Sequence, residues 1–206
     1  MATAIRVTGP ALIGVGDFGQ RTVSLLGAAL PGAQVLPAGD LGPAFAREHR
    51  PVVVATWRPS HALCEQADEL SFRYGRPWLP ITMDSLAIRV GPLVSPSHGP
   101  CFRCFRRRRE QHDRERDVTA ALHAAYDADP GCGPGGHLPH QARTAAAVAT
   151  SLLASGPGRV VAIRLRDLEL TAAPVLGWHD CDRCGSVPVP DAGLKRLAAA
   201  LPEANR

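Results

Sequence analysis

Two Cys-x-x-Cys units, Cys101-Phe-Arg-Cys104 and Cys181-Asp-Arg-Cys184, stand 76 residues apart (105 to 180), and no other feature restricts the fold of this chain as much. Four thiolates suit a zinc ion, which takes four ligands tetrahedrally and leaves no open position in a closed structural site. The two-residue gap lets both sulfurs of a unit reach one ion while backbone N–H groups point at them. One such unit alone is also the spacing of a thioredoxin-like redox pair. Two of them, each after a turn-like stretch, predict one structural zinc held by Cys101, Cys104, Cys181 and Cys184, with a redox pair or unrelated buried thiols as alternatives. Such a site would clasp the end of the chain to the segment at residue 100 and contribute to folding, not to bond-making. On this reading Cys101→Ser or Cys184→Ser should unfold the protein. Cys64, on a predicted helix, reads as a core thiol; Cys132, in a glycine-rich loop, is a candidate reactive thiol.

The cysteines are read as belonging to a reducing compartment. The N-terminus lacks the charged start, apolar stretch and small-residue cleavage site of a signal peptide, and no apolar run reaches the roughly 18 residues of a membrane span, so a cytoplasmic protein without membrane contact is expected. At 206 residues and 45% hydrophobic, the chain fits one domain with a sizeable core. Its charge is +4, and its only lysine is Lys195, so nearly every positive charge is an arginine. The densest run, Arg106 to Arg109, is interleaved with Glu110, Asp113, Glu115 and Asp117. It reads as a solvated helix with Arg106–Glu110 and Arg109–Asp113 pairs; a protein-docking face is an alternative, and few aromatics are available for stacking nucleic-acid bases.

The first half alternates in the manner of βαβ units. Strands are predicted at Ile5–Val7, Ala11–Val15, Gln34–Leu36, Pro51–Thr56, Trp78–Thr82 and Leu86–Val90, and helices at Phe18–Leu30, Leu41–His49 and from a Ser60 cap to Tyr74. This implies an α/β fold, Rossmann-like, with a mostly parallel sheet covered by helices on both faces. Beyond Gly91 the character changes. Helices are expected from Phe105 to Asp117, onward to Tyr126, over Gln141–Ala154 and in the tail at Leu194–Leu201. The alternation from Val160 to Leu170 predicts a C-terminal antiparallel part, clasped by the four-cysteine zinc site. The chain is therefore read as one domain over 1–206, a Rossmann-like half at 1–92 and a zinc-clasped half at 93–206.

Gly14-Val-Gly-Asp-Phe-Gly19 fits G-x-G-x-x-G between a strand and a helix, the context of a phosphate-binding turn. Gly14, Gly16 and Gly19 with Asp40, about 20 residues on, are the candidate nucleotide residues. Asp17 inside the loop opposes a phosphate, and Pro37-Ala-Gly separates Asp40 from its strand. Glycines kept for tight strand–helix packing are the other reading; with no nucleotide chemistry to lose, Gly16→Ala or Asp40→Ala should leave scaffolding largely intact.

Together the glycine turn, Val52-Val-Val-Ala-Thr-Trp-Arg-Pro, Trp78-Leu-Pro-Ile, the segment from Val90 to Cys104 and the closing cysteine pair resemble the ThiF/MoeB-like superfamily of ubiquitin-activating-enzyme folds. Within it the chain is most similar to the ThiF-like cyclodehydratase partners, or Ocin-ThiF-like proteins, of azole- and azoline-modified peptide biosynthesis. The resemblance runs from about Leu12 to Cys184. It implies zinc on the two cysteine pairs. Members that activate a carboxylate bind ATP at the glycine turn and adenylate a peptide or protein C-terminus, using an Asn-, Arg- and Gln-rich segment and a lysine after the acidic strand end. Here that stretch is Asp40-Leu-Gly-Pro-Ala-Phe-Ala-Arg-Glu, without either. The resemblance therefore implies a non-catalytic scaffold that recruits a precursor (leader) peptide to a YcaO-type modifying enzyme, without use of ATP, and pairing as a homodimer. The chain starts almost at its first strand, so leader binding is expected on the ThiF-like body, on a separate protein, or not at all. The alternatives are an ATP-dependent adenylating enzyme and a nicotinamide-dependent oxidoreductase. The second lacks a Tyr-x-x-x-Lys pair, since neither Tyr74 nor Tyr126 has a lysine near it.

Overall fold

Residues buried on both sides of a sheet read as continuous apolar runs, and Val52-Val-Val-Ala-Thr56 is buried at every position. The computed structural model describes residues 9–46, 50–84 and 86–185. The expected strand at 5–7, the end of the helix expected to reach 49, and the tail helix at 194–201 lie outside these residues. The described elements are β1 (Ala11–Val15), α1 (Gly16–Ala29), β2 (Gln34–Leu36), α2 (Gly42–Ala46), β3 (Val52–Thr56), α3 (His61–Tyr74), β4 (Trp78–Asp84), β5 (Ala87–Val90), α4 (Phe102–Gln111), α5 (Arg116–Ala128), α6 (Pro139–Ser155), β6 (Arg159–Arg164) and β7 (Leu170–Pro174).

Among the described residues seven strands form one sheet in the order β2-β1-β3-β4-β5-β6-β7. The pairs β1–β2, β1–β3 and β3–β4 are parallel, while β4–β5, β5–β6 and β6–β7 are antiparallel. The sheet is thus mixed, and the expectation of a mostly parallel one is corrected. The reason is connection length. Only two residues separate β4, ending at Asp84, from β5, starting at Ala87, and a parallel crossover needs a dozen or more. The same limit makes β6 and β7 a hairpin.

The period-two pleat divides the core. Leu12, Val53, Ala55, Leu79 and Ile81 point to one face, under Phe18, Val23 and Leu26 of α1 and the alanines of α6. Ala11, Ile13, Val52, Val54 and Trp78 point to the other, under Phe45 of α2, Cys64 and Ala67 of α3, and Phe102 and Phe105 of α4. Cys64 is a buried core thiol, and burial pushes it up to about 12. Ser60 makes no side-chain cap to α3, contrary to expectation; its hydroxyl lies 3.4 Å from Asp127 Oδ1. The charged helix also differs. It stops at Gln111, and Asp113 turns back to accept the Glu115 N–H at 2.9 Å. Asp113 is then off the helix face, so Arg109 pairs instead with Asp84 at 2.8 Å, while the expected Arg106–Glu110 pair forms at 3.4 Å.

Candidate metal centre

Cys101 sits at the cap position of α4, and the next residue, Phe102, drives the turn inward by packing its ring on Trp78 at 5.3 Å. Cys104, one turn on, faces the same way. The second unit is a tight turn: Cys181 N–H donates to the Trp178 carbonyl, and Gly185 N–H to the Cys181 carbonyl at 2.7 Å. A Cβ on Gly185 would lie 2.4 Å from that carbonyl, so the residue closing the turn must be small.

All four cysteines are buried, and their sulfurs lie within 4.8 Å of one another. Cys101 and Cys104 are 3.8 Å apart, Cys101 and Cys181 3.6 Å, and Cys104 and Cys184 3.3 Å. A tetrahedral ion with metal–sulfur bonds of about 2.3 Å needs sulfurs about 3.8 Å apart, so the donor set fits a metal. The electrostatics agree. Burial pushes Cys101 far up and Cys184 to about 12; for Cys181 burial acts the same way, but backbone N–H groups of Cys184 and Arg183 outweigh it and bring the thiol to about 7. Without a cation, such a cluster keeps most of its protons; a bound dication supplies the charge that removes them. Trp178 N–H, 3.2 Å from Cys104 Sγ, is ready to donate to a thiolate.

The centre is fastened to α3. Asp68, 0% exposed, accepts from the Phe102 N–H at 3.2 Å and the Trp78 indole at 3.3 Å through Oδ1, and from Arg183 at 2.9 Å through Oδ2. Burial raises the Asp68 carboxyl above its ordinary value, and these three donors oppose the rise. One turn earlier, Glu65 pairs with Arg103 and lies 3.9 Å from Arg183. One carboxylate pair thus holds the third residue of both cysteine units. Sequence reasoning misses Glu65, Asp68, Arg103 and Arg183 as parts of the centre. The available signal is that both units share the form Cys-x-Arg-Cys.

The candidate nucleotide residues lie elsewhere, at the carboxyl ends of β1 and β2. Gly14 backs onto Gly19, and Gly19 in turn onto the Ala55 carbonyl, where a Cβ would come within 2.3 Å; these two serve strand–helix packing. Gly16 has φ +68°, and the space beside its Cα is filled by the Trp57 indole, whose Cδ1 would lie 2.2 Å from a Cβ there. In a dinucleotide turn this second glycine is the one that lets pyrophosphate approach. Asp40 is exposed, and its Oδ1 accepts the Gly42 N–H at 2.8 Å, capping α2. Cys132 is half-buried in its loop, its N–H donating to the Asp129 carbonyl at 3.1 Å.

A groove of about 1140 Å³ runs between α4, α5 and the antiparallel strands, lined among others by Ala87, Phe105, Arg109, Leu122, Ala173 and Leu176. It adjoins β7, the last strand of the sheet, whose five residues are all exposed. At its floor, burial acts to raise Asp84, but Arg109 and Arg89 hold its carboxyl below the ordinary value. Among the described residues no helix is long and apolar enough to cross a membrane.

No family model and no curated protein matches the chain. Solved structures share its fold. The heterocyclase TruD superposes with a TM-score of 0.61 at 18% identity, covering 96% of this chain and 30% of that one. The Escherichia coli microcin synthetase McbBCD complex gives 0.60 at 13%, covering 88% and 71%, and E. coli MccB with AMPCPP and MccA gives 0.58 at 11%, covering 87% and 67%. The chain therefore spans less than a third of the heterocyclase it matches. At such identities the likeness shows the fold alone.

Proposed function

We propose that this protein is a non-catalytic, ThiF-like partner in the biosynthesis of a ribosomally synthesised, post-translationally modified peptide of azole or azoline type. It recruits the precursor peptide to a YcaO-type cyclodehydratase or another modifying enzyme, and one structural zinc holds its second half together. The observation that carries this reading is the Trp57 indole against Gly16: the chain shares the fold of the heterocyclase and microcin-synthetase structures, while a side chain lies where a phosphate would approach the glycine turn. Asp40, spent on a helix cap, supports the same view. The groove beside β7 supplies what a recruiter needs, a lined channel and a strand edge with no partner strand among the described residues, to which an extended peptide can add as a further strand. Zinc suits the centre because four buried thiolates with no other donor are its usual structural set.

Calorimetry of the zinc-loaded protein against the precursor peptide and the cyclodehydratase encoded beside it tests the proposal. Saturable binding to at least one is expected, and Leu122→Glu in the groove should weaken peptide binding about tenfold. Binding to neither would overturn the reading. Peptide-dependent pyrophosphate exchange would overturn its non-catalytic part and favour an adenylating enzyme, in which Trp57 swings away from Gly16.

A further inference from the structure

Arg58 stands two residues beyond the end of β3 and is only 7% exposed. Its guanidinium is stacked between the rings of Trp57, at 5.2 Å, and Tyr126, at 4.8 Å. Of its five N–H hydrogens one goes to the Pro59 carbonyl at 3.3 Å and one to the Asp129 carbonyl at 3.0 Å. Nε has no acceptor, and none of the ion pairs among the described residues includes this side chain. A buried charge is ordinarily paired, since its desolvation costs several kcal/mol. Aromatic faces and two neutral carbonyls offset part of that cost and supply no counter-charge.

Beside Arg58 lies a cavity of about 360 Å³, within the range of small-ligand sites. It opens at the carboxyl ends of β3 and β4, next to the point where the chain reverses its direction of strand addition, between β1 and β3. Open α/β sheets bind ligands at that place. No carboxylate lines the cavity. Its polar lining includes His137 and Gln141, the latter near the N-terminus of α6, whose backbone dipole favours negative charge. Gln141 uses Oε1 to accept the Leu138 N–H at 2.8 Å, which leaves its amide hydrogens for another partner. The remaining wall is largely apolar, with Met83, Leu138 and Leu165.

We propose that this cavity binds a small ligand through an oxyanion, a carboxylate or a phosphate, which supplies the counter-charge that Arg58 lacks. The cavity meets the glycine turn only through Trp57, which lines the one and covers Gly16 of the other, and it shares no lining residue with the peptide groove, so it stands or falls independently of peptide recruitment.

Calorimetric titration of the full chain with inorganic phosphate and with benzoate, at ionic strength held constant with chloride, provides the test. One or both anions should saturate a single site, and Arg58→Gln should weaken that binding at least tenfold. Saturation by phosphate alone identifies a phosphorylated ligand, and by benzoate alone a carboxylate. Heats no larger than those of chloride for both anions would overturn the proposal, as would unchanged affinity in Arg58→Gln. Should that variant not fold, NMR of the unaltered, 15N-labelled protein decides. The Arg58 Nε–H signal and the amides of Gly135 and Gly136 should move together along one saturation curve; shifts confined to surface arginines such as Arg116 would overturn it.

Discussion

At the scale of single residues, the cysteines and Asp68 carry most of the testable content. Cys184→Ser is expected to leave the protein unable to retain zinc and without a cooperative unfolding transition, because a structural tetrathiolate site contributes on the order of 10 kcal/mol and a whole domain is stable by only about 5–15. Metal analysis with near-ultraviolet circular dichroism reads this; a folded, zinc-free variant would remove the metal centre from the account. Asp68→Ala leaves Arg183, the Phe102 N–H and the Trp78 indole without their shared acceptor. Breaking such a buried pair costs about 3–5 kcal/mol, measurable as a drop in urea midpoint, and Asp68→Asn should cost less. Gly16→Ala reverses an expectation. The glycine pattern suggests a neutral change, but a positive φ and the Trp57 indole together predict a loss of roughly 1–3 kcal/mol in the same measurement. The four ligands are legible because two-residue spacing is itself the chemical requirement. The Trp57–Gly16 contact is not, since it exists only once β1 and β3 pair in register and bring residues distant in sequence side by side.

At the scale of elements, helix positions are readable from apolar periodicity, and strand positions from β-branched runs. Strand direction is legible only through loop length, and α4 ends early because the break from His112 to Glu115 is made by the Asp113 side chain rather than by proline or glycine. The docking of α5 on α3 is where acid should act. His61 and His123 are in contact, with ring centres 4.2 Å apart and planes tilted by 59°. Burial, then His123, Arg106 and Arg109, lower His61 from 6.5 to about 4 against the opposing pull of Asp127; burial also lowers His123, with Arg109 adding to this and Asp84, Asp127 and Asp113 opposing. Between those two values the unfolded chain binds a proton at His61 that the folded protein refuses. Stability is therefore complete above pH 6.5 and falls as the pH drops toward 4. Allowing for partial exposure, the loss is roughly 1–2 kcal/mol. Urea titrations at about pH 7 and pH 5 should show it, and His61→Phe should flatten the difference. An unchanged pH dependence in that variant would exclude this pair as its source.

At the scale of the whole molecule, the four-cysteine cluster, which could hold one ion, brings α4 against a turn that follows the last described strand. Cys101 and Cys181 are 80 positions apart, so the link closes a long loop. Removal of zinc by a chelator should lower the melting temperature by about 10 °C or more, with recovery on adding zinc but not magnesium; an unaffected melting curve would show that the sheet alone sustains the fold. The order of the ligands along the chain has a further consequence, for synthesis. All seven described strands are made before Cys181 is, so during translation the first cysteine pair waits as a bare dithiol while β6 and β7 emerge. Any product cut short before residue 181 can offer only two sulfurs and cannot close the site. A metal taken up by this site would be captured only after Cys184 has emerged, and chains that hold it should then resist proteolysis better than fragments that stop before Cys181.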